Sequence, residues 1–205
     1  MKHVNFFKVD FSCESHLILP FFNLPEGAKV LRENDSYFII YESYLYVVSD
    51  EREVDISSFE NDRNIKHITY PSSGNINRRY LMKREREGET LNFLSPNLSG
   101  ELSDFYENKT QFHADKELIE NRRDMGEEFF ISRKDNKIVS ASYSTKGNRQ
   151  LVSLATDKDF RNQNFASDLL DKINVPYLFC TEEWLRCFYE KRGYKVVRIY
   201  NTINR

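Results

Sequence analysis

Several residue types are scarce in this chain of 205 residues. It has three cysteines, seven glycines, five prolines and one tryptophan. So little glycine and proline excludes a fibrous or low-complexity protein. Cys13, Cys180 and Cys187 form no CxxC pair and have no histidine nearby, so we expect no metal site. An odd, sparse cysteine count is typical of a reducing compartment and of buried thiols.

Long apolar runs and a strong net charge are also lacking. The apolar residues 17–22 are too few for a membrane span and are broken by Pro20. A formal net charge of −2 argues against non-specific nucleic-acid binding. We therefore expect a cytoplasmic protein with no membrane and no nucleic-acid partner. Apolar and aromatic residues, at 40% and 14%, are abundant enough for a sizeable core.

Strand and turn signals divide the first half of the chain. They predict a β-hairpin and further strands at residues 37–41, 44–48, 65–70, 79–83 and 90–94. The loop signal at residues 95–100 is the best boundary, so we predict an N-terminal α/β lobe over residues 1–100 and a second domain over residues 101–205. The mixed charges of residues 83–87 predict a solvated turn.

The second half begins with a helix and a hairpin. The spacing predicts a helix over residues 115–125, with Leu118 and Ile119 on its apolar face and Gly126 at its end. A hairpin is predicted around residues 134–137, whose asparagine can adopt a positive φ. A last strand is predicted over residues 196–203.

The most informative stretch covers residues 151–170. Its first residues predict a strand, and Phe165 and Leu169 recur at helical spacing after it. The polar residues 161–164 lie between, where the helix begins. Free backbone N–H groups at a helix start bind anions, so this turn is a candidate phosphate cradle. An ordinary strand-to-helix turn is the alternative.

A second pattern follows at residues 177–194. It predicts a strand, a helix that ends at Gly193, and another strand. On that helix Trp184 and Cys187 share one face, whereas Tyr189 lies on a different one.

Together the two patterns resemble the GNAT superfamily of acyl-CoA-dependent N-acyltransferases. The family's pyrophosphate loop, Arg-x-x-Gly-x-Gly/Ala, has its counterpart in Arg161–Ala166, where Asn164 replaces the central glycine. The family's late motif, Tyr-x-Lys-x-Gly-Phe/Tyr, has its counterpart in Tyr189–Tyr194. Asparagine tolerates a left-handed backbone better than most residues, so we expect the turn to survive the replacement.

The resemblance implies an α/β (α+β) fold with a mixed, mostly antiparallel central sheet flanked by helices. It also implies an additional α/β N-terminal lobe, often a degenerate copy of the same fold. The implied cofactor is acetyl-CoA. The residues implied to bind it are Leu154 and Thr156 on the strand, Arg161, Asn162, Gln163, Asn164, Phe165, Ala166 and Ser167 in the loop, and Arg186 as a cation for a phosphate.

The resemblance also implies that Tyr189 is the general acid that protonates the leaving CoA thiolate. A phenol, with an ordinary pKa near 10, suits a group that must stay protonated at neutral pH. A tyrosine packed at a helix–strand junction is the alternative. No general base stands out. Glu182 and Glu183 are candidates, although acidic residues in a first helical turn usually just interact favourably with the helix dipole.

The implied function is transfer of an acetyl group from acetyl-CoA to a primary amine of a small molecule or a peptide. The alternative, which Asn164 motivates, is a non-catalytic module of the same fold that binds acyl-CoA or a protein. The sequence leaves open the acceptor amine and whether the chain forms a homodimer.

Overall fold

Strands form where β-branched and aromatic residues alternate with polar ones, and helices form where apolar residues recur every three or four positions. The computed structural model describes residues 2–3, 28–34, 36–49, 53–72, 77–85, 98–124, 126–145 and 150–204. The strands are β1 (Lys2–His3), β2 (Lys29–Glu33), β3 (Ser36–Tyr41), β4 (Tyr44–Ser49), β5 (His67–Pro71), β6 (Arg78–Lys83), β7 (Glu128–Lys134), β8 (Lys137–Ser144), β9 (Gln150–Thr156), β10 (Tyr177–Cys180) and β11 (Lys195–Asn204). The helices are α1 (Ser57–Glu60), α2 (Leu98–Lys109), α3 (Lys116–Asp124), α4 (Phe165–Lys172) and α5 (Glu183–Glu190), and a 3₁₀ turn spans Lys158–Phe160.

The chain divides into two compact units. The first comprises Met1–Met82, Cys180–Cys187 and Val196–Arg205, and the second comprises Lys83–Phe179 and Phe188–Lys195. Helix α5 is divided between them. The separation into domains over residues 1–100 and 101–205 stays a prediction.

The first unit contains strands in the order β1-β2-β3-β4-β5-β11-β6. Strands β1 to β4 pair antiparallel in succession, β4 and β5 are parallel, and β11 is antiparallel to β5. Both faces of β3 carry buried apolar side chains, such as Phe38 on one and Ile39 on the other. One core cluster of the unit has the buried members Phe38, Leu45, Val47, Ile56, Phe59, Ile65 and Ile68.

The second unit contains strands in the order β10-β9-β8-β7. Strands β7, β8 and β9 pair antiparallel, and β9 and β10 are parallel. Helices α2 and α3 pack on one face, and α4 contacts β7, β8 and β9. The core under α2 and α3 consists of Leu98, Leu102, Phe105, Tyr106, Ile119, Phe129, Ile138, Ala141, Tyr143 and Ala155.

The two units share one order of strand pairing. In each, three antiparallel strands are followed by a helix and then by a strand parallel to the third: β2-β3-β4-α1-β5 and β7-β8-β9-α4-β10. Helix α1 has only four residues, whereas α4 has eight. The predicted mixed, mostly antiparallel sheet flanked by helices, with an additional α/β part, is confirmed.

Most of the predicted elements are confirmed, but two local expectations are wrong. The segment predicted as a loop over residues 95–100 is helical from Leu98 onward, where α2 begins. Leu118 is exposed, because the apolar stripe of α3 buries only Ile119. The strand predicted over residues 90–94 lies outside the described residues.

Two expectations about burial are also wrong. Cys180 is buried, but Cys187 is exposed because it lies on the same side of α5 as the exposed Trp184. Arg84, predicted to be in a solvated turn, is only 5% exposed because backbone carbonyls bind its guanidinium. Cys13 lies outside the described residues. None of the helices in the described ranges has both the length and the apolar composition needed to cross a bilayer.

Candidate functional site

The turn between β9 and α4 has a left-handed backbone at the replaced glycine. Asn164 is the N-cap of α4, with φ 67° and ψ 2°. Asn162, two residues earlier, has φ 62°. Glycine adopts this region freely, and asparagine is among the few other residues that visit it routinely. The turn therefore survives the replacement, as predicted.

The first turn of α4 presents backbone N–H groups that the helix does not use. The first hydrogen bond of the helix runs from the Asp168 N–H to the Asn164 carbonyl at 2.8 Å. The N–H groups of Phe165, Ala166 and Ser167 precede it and have no acceptor within the helix. These three residues are half-buried, and Arg161–Asn164 are exposed. This arrangement, at the positive end of the helix dipole, suits an anion.

Two cations contact side chains of this loop. Arg192 donates through Nη2 to Ser167 Oγ and through Nη1 to the Phe188 carbonyl at 2.7 Å. Its guanidinium lies 3.7 Å from the centre of the Phe188 ring, and burial lowers the pKa of Arg192. Lys134 Nζ donates to Gln163 Oε1 at 3.4 Å. The side chains of Gln163 and Ser167 are therefore bonded by residues from other parts of the second unit.

Strand β9, which leads into the loop, contains a β-bulge. Ala141 of β8 lies opposite Ala155, but Tyr143 lies opposite Val152, so one extra residue of β9 faces Ser142. Ser153, one of the two β9 residues between these pairs, has φ 50°. A bulge bends its strand and increases its twist.

Beyond the bulge, one edge of β9 is unpaired within the described strands. The Asp157 N–H donates to β8 at 2.9 Å. Because alternate residues of a strand present their backbone groups to opposite edges, Leu154 and Thr156 present theirs away from β8. On that side, β10 pairs with β9 only at Gln150 and Leu151. The later backbone groups of β9 can therefore bond an extended ligand.

Tyr189, the predicted general acid, lies on the buried side of α5. It is 7% exposed, and its ring packs edge-to-face against Phe188 and Tyr194, with ring centres 5.2 and 5.8 Å away. Its carbonyl accepts from the N–H groups of Arg192 at 2.9 Å and of Tyr194 at 3.2 Å. Gly193, with φ 83°, closes this turn. The catalytic role of Tyr189 stays a prediction beside the packing alternative.

Arg186, the predicted phosphate ligand on α5, already has a carboxylate partner in the first unit. Its Nε donates to Glu183 Oε1 at 2.9 Å, and its guanidinium lies 5.7 Å from the centre of the Tyr80 ring. Tyr80 donates to Glu183 Oε2 at 3.0 Å. These hydrogen bonds hold the pKa of Glu183 below its usual range, so this carboxylate is a poor proton acceptor. Phosphate binding by Arg186 stays a prediction.

No sequence pattern pointed to Arg84, the residue that caps the C-terminal end of α4. Its guanidinium donates to the carbonyls of Leu170 at 3.2 Å and Ile173 at 2.7 Å. It also lies 4.6 Å from the centre of the Tyr194 ring. A cation at a helix C-terminus is favourable, and this one binds two carbonyls that the helix leaves free.

A cavity of about 560 Å³ adjoins the loop in the second unit. Its lining combines three cations with two carboxylates: Arg84, Lys191, Arg192, Glu85 and Asp171, together with Ser167 and Gly193. Since Glu85 also pairs with Lys83 at 3.2 Å, the cavity beside Ser167 is positive on balance.

Comparison with known proteins identifies the fold. No family model and no curated protein matches the sequence. Among solved structures, a GCN5-related N-acetyltransferase from Sphaerobacter thermophilus is similar, with a TM-score of 0.59 and 10% identity, over 93% of this chain and 84% of that one. A GNAT-family acetyltransferase from Colwellia psychrerythraea is similar with a TM-score of 0.54 and 11% identity, over 94% of this chain and 90% of that one. A functionally unknown conserved protein from Staphylococcus epidermidis is similar with a TM-score of 0.56 and 10% identity, over 89% of this chain and 96% of that one.

The class that these structures define is the GNAT fold. The resemblance inferred from the two motifs is therefore confirmed at the level of the fold. At 10–11% identity the likeness defines the fold alone.

Proposed function

We propose that the second unit binds acetyl-CoA and transfers its acetyl group to a primary amine of a small molecule or a peptide. The observation that carries this proposal is the left-handed turn at Asn164. It begins α4, whose free backbone N–H groups follow β9 along the chain, and within the described strands the later part of β9 has one edge unpaired.

The residues present fit an acyl-CoA. The N–H groups of Phe165, Ala166 and Ser167 suit the pyrophosphate. The outward backbone groups of Leu154 and Thr156 suit the amides of the pantetheine arm, which can pair as an added strand does. Lys191 and Arg192, which line the adjoining cavity, suit a further phosphate of the nucleotide. When bound, acetyl-CoA supplies an acyl group already activated as a thioester.

The chain itself must orient the amine and supply a proton to the departing sulfur. Tyr189 carries a hydroxyl at the end of α5, and a phenol keeps its proton near neutral pH. We assign the proton donation to Tyr189 Oη. Glu183 is a poor base because Arg186 and Tyr80 stabilise its ionised form.

The turn at Asn164 gives the test. Valine is β-branched and strongly resists a left-handed backbone, whereas glycine accepts it. Calorimetric titration with CoA should show that Asn164→Val weakens binding roughly tenfold, for a backbone cost of about 1–2 kcal/mol. Asn164→Gly should bind at least as tightly as the wild type. Equal affinity in both variants, or no binding to the wild type, would contradict the proposal.

A non-catalytic acyl-CoA-binding module is the second candidate. The observation that favours it is the burial of Tyr189 among Phe188 and Tyr194, which a packing role alone explains. Release of free CoA thiol from acetyl-CoA, in the presence of a panel of primary amines, separates the two. An enzyme releases thiol with at least one amine, and a binding module releases it with none while CoA still binds.

A further inference from the structure

The bulge in β9 holds a serine in a backbone conformation that serine rarely adopts. The φ of Ser153 is 50°, and the residue lies within a strand. A non-glycine residue in the left-handed region costs free energy and persists only where its surroundings hold it. The contacts that hold Ser153 therefore determine the path of the β9 backbone.

One buried tyrosine bonds this serine directly. Tyr106 of α2 donates its hydroxyl to the Ser153 carbonyl at 3.3 Å. Tyr106 is only 1% exposed, so water cannot readily replace this bond. Ser142 of β8 adds a second contact at the bulge, from its Oγ to the Val152 carbonyl at 2.8 Å.

An ion pair packs against Tyr143, which lies opposite Val152 beside the bulge. The Arg122 guanidinium of α3 lies 4.6 Å from the centre of the Tyr143 ring. Its Nη1 is 3.1 Å from Oε2 of Glu127, a carboxylate that is 6% exposed. Burial raises the pKa of Tyr143 and of Glu127, and Arg122 opposes both shifts. Side chains from α2 and β8 thus bond the bulge of β9 directly, and Arg122 of α3 packs behind Tyr143.

The course of β9 after the bulge determines which edge each residue faces. Leu154 follows Ser153 directly, and Thr156 lies two residues further on. The backbone groups of successive strand residues face opposite edges. Removing the extra residue would therefore shift the later residues of β9 by one position and turn each of them to the other edge. Without the bulge, Leu154 and Thr156 would turn their backbone groups toward β8.

We propose that Tyr106 is a positioning residue, which holds the left-handed Ser153 so that β9 keeps its outer edge open for the pantetheine arm. This proposal rests on the proposed binding of acetyl-CoA. It concerns the arm alone, because within the described residues no hydrogen bond or ring contact of Tyr106 reaches the loop at residues 161–167 that would bind the pyrophosphate.

Two ligands separate the arm from the rest of the cofactor. CoA contains both, whereas 3′-phosphoadenosine 5′-diphosphate keeps the pyrophosphate and lacks the arm. Calorimetry on Tyr106→Phe should give a dissociation constant for CoA about tenfold higher, as for one buried hydrogen bond lost, with that of the diphosphate unchanged. Tyr194→Phe is the matched control. It removes a buried hydroxyl that donates to the Val175 carbonyl at 2.7 Å, away from the bulge, and should change neither constant.

A second variant tests the backbone strain directly. Ser153→Gly, added to Tyr106→Phe, should recover most of the lost CoA affinity, because glycine needs no support at positive φ. Equal weakening of both ligands, or no weakening of CoA, would overturn the positioning role while leaving the proposed function intact. A wild type that binds neither ligand would overturn the proposed function, and this role with it.

Discussion

At the scale of the residue, the hydroxyl of Tyr189 can be removed without its ring. Tyr189→Phe keeps the packing against Phe188 and Tyr194, so affinity for CoA should hold. We expect single-turnover acetyl transfer to fall by about 10²–10⁴-fold, because the lost proton donor acts in the transition state. The measurement is thiol release under saturating acetyl-CoA, with an amine found by screening.

Tyr194→Phe provides the comparison for that experiment. It removes a neighbouring buried hydroxyl, bound to the Val175 carbonyl, and should retain the transfer rate. Full single-turnover activity in Tyr189→Phe would remove Tyr189 from the mechanism. A wild type that binds CoA but transfers to no amine would favour the non-catalytic candidate.

At the scale of the element, α4 depends on a residue from outside the helix. Arg84→Met keeps much of the side-chain volume but leaves the carbonyls of Leu170 and Ile173 without their donor. We expect a loss of about 3 kcal/mol in the free energy of unfolding, measured by urea denaturation. Arg63→Met, at an exposed position, should stay within about 0.5 kcal/mol of the wild type. Equal losses in the two variants would mean that the α4 contacts contribute nothing specific.

Local sequence patterns predicted the elements that depend on local interactions. The hairpin turn at Asp135 and Asn136, the left-handed Asn164 and the helix end at Gly193 all follow from backbone preferences of single residues. The loop of the candidate site could be predicted from the sequence for the same reason.

Features set by distant contacts could not be predicted in this way. The burial of Arg84 depends on the end of a helix 86 positions further along the chain. The bulge at Ser153 depends on its register with β8 and on a hydroxyl from α2, 47 positions earlier. Neither partner is visible in the local pattern, which in the case of Arg84 is a run of charges typical of a surface.

At the scale of the whole molecule, the buried phenols predict a loss of stability at alkaline pH. Complete burial raises the pKa of Tyr106 above its usual value of 10.0. Above that value the unfolded chain loses the phenol proton while the folded chain keeps it, so stability falls as pH rises. One such group contributes a slope of about 1.4 kcal/mol per pH unit.

The variant Tyr106→Phe isolates this contribution. The free energy of unfolding from urea titrations between about pH 9 and pH 11 should fall less steeply than in the wild type, by about 1.4 kcal/mol per unit above pH 10. All other titrating groups are common to the two proteins, so the difference reports Tyr106 together with its coupling to the neighbouring Tyr143. Parallel curves would mean that Tyr106 titrates in the folded chain as it does in the unfolded one.

The pairing of β11 with β5 has a consequence for biosynthesis. Thr69 and Thr202 meet across these strands at 3.4 Å, yet they are 133 positions apart. During synthesis, β5 therefore leaves the ribosome long before β11, the strand that pairs with it. The second unit emerges between the two. During that interval β5 exposes an unpaired edge, the kind of surface that chaperones shield and that nascent chains use to aggregate. The first unit is therefore completed only after the second unit has been synthesised.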